Sequence, residues 1–279
     1  MNHNGSMREW GFRDEIDLEE INVPRAALQL ARAITYPALD IGAYMVTLYE
    51  LSELAADHIS PDRSVSAQAD RLMSIFVEQF GFRGNVSDYA DPRNSFLNEV
   101  IDRRLGIPIS LSVLFVDIAN RLGLPAYGIS LPGHFIAGIR DRDASTWYDP
   151  FHDGRRLSLD DCAQLVFLST GYEGPLEASW FSPASPREVL VRMLNNLRII
   201  YVSQAEWSDA VKSIQLLRQL QPETAEHLRD LGLVYYHQGR LSLAAHYLDT
   251  YLRRQPQAVD LQVIRDGMEK ILEEWVPKN

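Results

Sequence analysis

His134 and Asp149 are the residues of this 279-residue chain whose types and placement could do chemistry. An Asp that orients a His supplies the base and the orienter of a nucleophile–base–orienter set. The single cysteine, Cys162, sits on an acid-led helix between Asp161 and Ala163, where a lone Cys acts as a small hydrophobe and nothing activates its thiol. His134, Asp149, His152 and Asp153 could also be assembled around a metal, but neither an HExxH motif nor paired-Cys spacing accompanies them. No metal and no cofactor are therefore expected.

The elements that must position the pair are a helix and a sheet. Pro108 suits the first turn of a helix, where a missing N–H costs nothing. From Ile109 to Leu122 apolar residues occupy nearly every face, the mark of a helix inside a core. Gly123 ends it and Pro125 prevents its resumption. Ala126–Leu131, Phe135–Arg140 and Thr146–Tyr148 then read as three strands of an antiparallel meander, divided by turn signals at Pro132-Gly133 and Asp141-Arg142. His134 opens the second strand and Asp149 closes the third, so the two side chains can meet across adjacent strands.

This order of helix, Gly-x-Pro, strand, His, strand and Asp-Pro resembles the transglutaminase-like superfamily, a papain-like fold. The wording GIPISLSVLF, LPGHF and DPF is similar to a bacterial branch of it, the SirB-type family, in which tetratricopeptide repeats follow the transglutaminase-like domain. The resemblance spans about residues 90 to 255 and rests on three motifs in the right order. It implies that His134 is the superfamily's catalytic His and Asp149 its orienting Asp. The superfamily's Cys begins the core helix, about fifteen residues or four turns before its final Gly. Counting back from Gly123 reaches Pro108, and the nearest hydroxyl is Ser110.

Composition narrows the functional classes. Lys and Arg number 27 against 38 Asp and Glu, a net charge of −11, and no basic run appears, so a nucleic-acid partner is not expected. One Cys excludes an internal disulfide and fits a reducing cytoplasm. Met1 to Arg13 is polar and lacks the apolar core of a secretory signal. The longest apolar run, Ile107–Ala119, contains Ser110, Ser112 and Asp117 and is too short to span a bilayer. A soluble, cytoplasmic protein without a membrane partner is expected.

Helices are expected over residues 17–35, 40–56 and 66–80, packing over the core helix. Asn85 to Asn94 reads as a loop leading into a short helix, 95–104. Asn94 and Asn98 are candidate binding residues at the cleft edge, with Asn94 also suited to a turn and N-cap. A proline-rich stretch, 175–186, separates a first domain, 1–175, from a helical region, 187–279. In that region Leu197, Tyr201, Ala210, Ile214 and Pro222 recur as Leu231, Tyr235, Ala244, Leu248 and Pro256, each 34 residues on. That is the tetratricopeptide period. A last helix, Val259–Trp275, with Arg265, Asp266, Glu269, Lys270, Glu273 and Glu274, reads as a solvating cap.

The fold class is therefore α+β and mostly helical: a transglutaminase-like domain with a small antiparallel sheet, then an all-α repeat region. Without its thiol, the chain reads as a non-catalytic protein-interaction or regulatory module, taking a protein or peptide partner through the repeats. The alternative is a serine-variant hydrolase or acyltransferase using Ser110, His134 and Asp149. The pattern specifies no oligomeric state.

Overall fold

The computed structural model describes residues 10–142 and 144–275, with backbone alone from Glu269 onward. The polar start read from Met1 therefore lies mostly outside the described residues, as do the side chains of Glu269, Lys270, Glu273 and Glu274 in the expected cap. The chain divides into two compact units between Met193 and Leu194, inside the helix Pro186–Ser203.

The first unit opens with α1 (Phe12–Ile16), α2 (Val23–Ile34), α3 (Ile41–Ala56) and α4 (Val65–Ser74), the last running into a wider turn, Ile75–Gln79. The sequence pattern predicts a helix over 17–35, whereas α2 covers only Val23–Ile34 of that range and 17–22, after the end of α1, is not helical. Pro24 fits only a first turn, and the Asn22 side chain accepts the Arg25 N–H, so a new helix starts there. After β1 (Arg83–Gly84) come α5 (Leu97–Arg103), β2 (Leu105–Gly106), paired parallel with β1, and the core helix α6 (Pro108–Arg121). All of α6 from Pro108 to Phe115, with Ile118 and Ala119, is buried, packed by α2, α3 and α4 and by the sheet. Phe115 sits edge-on to Phe76 at 5.7 Å and 6.0 Å from Tyr148. Gly123, at φ +76, ends the helix in the left-handed region that its missing side chain permits.

The sheet is an antiparallel meander in chain order: β3 (Ala126–Ile129), β4 (Ile136–Asp141), β5 (Ala144–Asp149) and β6 (Arg155–Leu157). Its fourth strand has too few residues, and too polar a pair in Arg155-Arg156, to show a period in the sequence. His134 lies in the turn before β4 rather than on the strand itself. Behind the sheet α7 (Leu159–Thr170) closes a second core in which Cys162 and Leu165 meet Ile129, Ile136 and Leu157. The helix α8 (Pro186–Ser203) follows.

The second unit continues through α9 (Trp207–Leu220), α10 (Glu226–His237), α11 (Leu241–Arg254) and α12 (Leu261–Trp275), each packing on the next. Ala210 and Ala244, one period apart, are both fully buried. Gly232 lets α11 approach closely: a Cβ there would stand 2.6 Å from Leu248 Cγ and 3.2 Å from its backbone nitrogen. Arg229 bridges Asp230 and Asp260, and the Tyr251 hydroxyl donates to Asp260 at 2.7 Å, joining α10 and α11 to the start of α12.

Two stability measurements follow from this packing. Leu114→Ala is expected to cost ~2–5 kcal/mol in urea unfolding, because α6 is walled in and the void cannot collapse; a loss well below ~1 kcal/mol would place that helix at a surface. Gly232→Ala is expected to lower the melting temperature although alanine is the better helix former by about 1 kcal/mol. A rise in melting temperature would show that the α10–α11 contact is looser than described.

Candidate functional site

The site begins with two turns. Leu131, Pro132, Gly133 and His134 form the first, closed by the His134 N–H donating to the Leu131 carbonyl at 3.2 Å. Gly133, at φ +72, lies against Ser169 and Thr170, where a Cβ would stand 2.4 Å from Ser169 Cβ. Arg192 of α8 grips this turn. Its Nη1 donates to Ser130 Oγ at 2.6 Å and to the Leu131 carbonyl at 2.8 Å, and its Nη2 to the His134 carbonyl at 2.8 Å. The guanidinium also lies over the Phe135 ring, 5.7 Å from its centroid.

The second turn leaves β5. Asp149 Oδ1 accepts the backbone N–H groups of Phe151 at 3.0 Å and His152 at 3.3 Å, which folds the chain back over the carboxylate. Oδ2 accepts from His134 Nε2 at 3.0 Å and from His152 Nδ1 at 2.7 Å. A carboxylate can only accept, so each imidazole holds its proton on the nitrogen that faces Asp149. Burial on its own would raise this carboxyl. The hydrogen bonds from His134 and His152, together with their charge, outweigh it and hold Asp149 well below the ordinary carboxylate range. Asp149 is fully buried and His134 nearly so, while His152 is 45% exposed and forms the door.

Aromatic rings frame the cluster. The two imidazoles stack at 5.6 Å, Phe151 stands edge-on to both, and Tyr89 stands edge-on to Phe151 at 5.8 Å. Gly84 of β1 passes so close beneath that a Cβ there would lie 2.4 Å from the Phe151 carbonyl oxygen.

The expected His134–Asp149 pair is thus brought together, and Ser110 is held elsewhere. Ser110 is fully buried; its Oγ accepts the Ile107 N–H at 3.0 Å and donates to the Asn94 carbonyl at 2.7 Å. None of its hydrogen bonds among the described residues reaches His134. Asn94 and Asn98, expected at a cleft edge, are both buried. Asn94 ties the loop before it together, donating to the Asp88 carbonyl at 2.7 Å and accepting from Asn85 at 3.0 Å. The N-cap position expected of Asn94 falls to Phe96, because the helix starts at Leu97; Asn94 lies inside the short turn Pro92–Ser95 before it, which Asp91 caps by accepting the Arg93 N–H. Asn98 Oδ1 is buried without a hydrogen-bond partner among the described residues.

One residue of the site, Arg192, escapes a reading of the sequence, and another, His152, is legible there only in part. Arg192 lies 58 residues from His134 on a helix that carries no local mark of the contact. His152 was recognisable only as one of several possible ligands, through its place three residues after Asp149. His134, Asp149 and His152 are also the described residues that could hold a metal: one donor atom from each, all within 4.8 Å of one another. A cavity of about 310 Å³ beside β3, lined by Val113, Val116, Asp117, Tyr127 and Phe135, includes none of the three.

Comparison with known proteins agrees with this architecture. Residues 43–195 match the model of the transglutaminase-like superfamily, and residues 197–269 match that of the tetratricopeptide repeat. A UPF0162 protein of Xylella fastidiosa is 33% identical over 259 residues, 92% of each chain. One of Pseudomonas aeruginosa is 33% identical over 75% of this chain and 76% of its own. F-box only protein 21 of Homo sapiens is 29% identical over 61% of this chain and 28% of that protein. With its family model covering the helix, the meander and both turns of the site, the chain belongs to the UPF0162 family, whose plan here is a transglutaminase-like domain followed by tetratricopeptide repeats.

Proposed function

We propose that this chain acts in the cytoplasm as a non-catalytic protein-interaction or regulatory module, keeping the His134–Asp149 pair of a transglutaminase-like domain without its nucleophile and taking a protein or peptide partner through the repeats. The observation that carries this reading is the employment of Ser110. A nucleophilic serine gives its proton to a base about 2.6–3.2 Å away. Here the hydroxyl proton goes to a backbone carbonyl, and the oxygen satisfies the Ile107 N–H at the start of α6. Cys162 offers no substitute: burial pushes its thiol up to about 11, with the Asp161 and Asp149 carboxylates adding to the effect.

The second unit supports the partner half of the reading, since repeats of this type present extended binding surfaces. A groove of about 460 Å³ is lined by the exposed side chains of Ile199, Val202 and Leu233 and by Trp207, which stacks on His237 at 4.6 Å. An aliphatic floor with an aromatic wall suits the apolar anchors of a peptide or helix. A net charge of −11 argues against nucleic acid, and no helix among the described residues is long and apolar enough to cross a membrane.

A fluorophosphonate probe tests the site directly. The expected result is no label on Ser110 and no hydrolysis of amide or ester substrates. Labelling of Ser110 that disappears in His134→Ala would replace this reading with a serine-based hydrolase or acyltransferase using Ser110, His134 and Asp149. Ser110→Ala, in turn, is expected to cost ~1–3 kcal/mol of stability by stranding the buried Ile107 N–H and Asn94 carbonyl. An unchanged denaturant midpoint would contradict the capping role.

A further inference from the structure

We propose that His134, Asp149 and His152 bind one divalent first-row transition metal ion of the zinc type, a step beyond the interaction reading and independent of it. An Asp–His pair needs one imidazole. This site brings two, from different turns, onto the same oxygen: His134 Nε2 at 3.0 Å and His152 Nδ1 at 2.7 Å from Asp149 Oδ2. The three donor atoms lie within 4.8 Å of one another.

Two imidazole nitrogens and one carboxylate oxygen form a donor set of borderline softness, which favours zinc and cobalt over calcium or magnesium. An ion held at ~2.0–2.1 Å by each donor spaces neighbouring donors about 3.3 Å apart in a tetrahedron. The two nitrogen–Oδ2 distances must therefore open by a few tenths of an ångström, while the two imidazole nitrogens, within 4.8 Å of one another, settle to the same spacing. The half-exposed His152 can supply that movement, since its ring meets only the stack with His134 and the edge of Phe151 among the described ring contacts. Each imidazole gives up the proton on the nitrogen facing Asp149 as that nitrogen ligates the ion, and the proton goes to the ring's outward nitrogen or to solvent.

The outer contacts are those of a prepared ligand set. Backbone N–H groups of Phe151 and His152 hold Asp149 Oδ1, which turns Oδ2 toward the imidazoles, and Arg192 fixes the backbone of His134 through its carbonyl. Two of the ligands are buried and the third is half-exposed, and three protein donors leave the fourth position of a tetrahedron to water or a ligand.

The test uses the full-length chain, stripped with a chelator and titrated with zinc chloride and with cobalt chloride. Calorimetry is expected to give one zinc per chain, and cobalt to develop the visible absorption of a four- or five-coordinate site. His152→Ala should weaken zinc binding by about tenfold or more and abolish the cobalt spectrum. His134→Gln should do the same, while His246→Ala, exposed on α11, should leave both unchanged. Zinc should also raise the melting temperature of the parent chain and leave that of His152→Ala unmoved. Absence of stoichiometric binding to the parent chain, or binding undiminished in both His152→Ala and His134→Gln, would overturn the proposal. Fluorophosphonate labelling reports on Ser110 separately, so the failure of one reading does not mask the other.

Discussion

A carboxylate taken wholly out of water must be paired or pay a large desolvation cost, and Asp149 is such a carboxylate. Four donors compensate it, two backbone N–H groups on one oxygen and two imidazoles on the other. Satisfying them dictates the local chain: β5 must end at Asp149, the next three residues must curl over it, and the turn before β4 must hold His134 opposite. Gly84 and Gly133 belong to the same arrangement, since each lets another part of the backbone come close enough to seal it. Arg192 locks the His134 turn from α8 with three hydrogen bonds.

The start of α6 shows how a fold can keep its frame while its chemistry differs. A transglutaminase-like site needs a nucleophile at the N-terminal end of the core helix. In this chain Pro108 occupies the first turn, a residue that shapes a helix start well and has nothing to ionise. Ser110, two positions on, is used by the backbone: its oxygen caps the Ile107 N–H and its proton binds the carbonyl of Asn94. The His134–Asp149 pair has a structural use of its own, since it fastens the turn before β4 to the end of β5.

The second unit follows a simpler rule. Its helices repeat one pattern, small residues where helices cross and large apolar ones between them, so each helix packs on the next. Charged links, Arg198 to Asp230 and Arg229 to both Asp230 and Asp260, run along α8, α10 and the start of α12. Part of the apolar surface left over, from Ile199, Val202 and Leu233, gathers beside the Trp207–His237 stack.

The sequence by itself determined the elements whose signals are local. The core helix is written in Pro108, an unbroken apolar run and Gly123; the meander in its turn residues; the repeats in a 34-residue recurrence. The meeting of His134 and Asp149 was legible for the same reason, because consecutive strands joined by a tight turn are neighbours. The start of α2 was also present, in Asn22 and Pro24, but masked by the apolar period that reaches back to Ile21. Only the tertiary structure decided where polar atoms spend their hydrogen bonds. Ser110 bonds a carbonyl 16 residues away, Arg192 binds a turn 58 residues away, and His152 shares an oxygen with His134. Periodicity marks which face of an element is apolar, whereas a hydrogen bond depends on ångström-scale distances between segments that the chain brings together only when it packs.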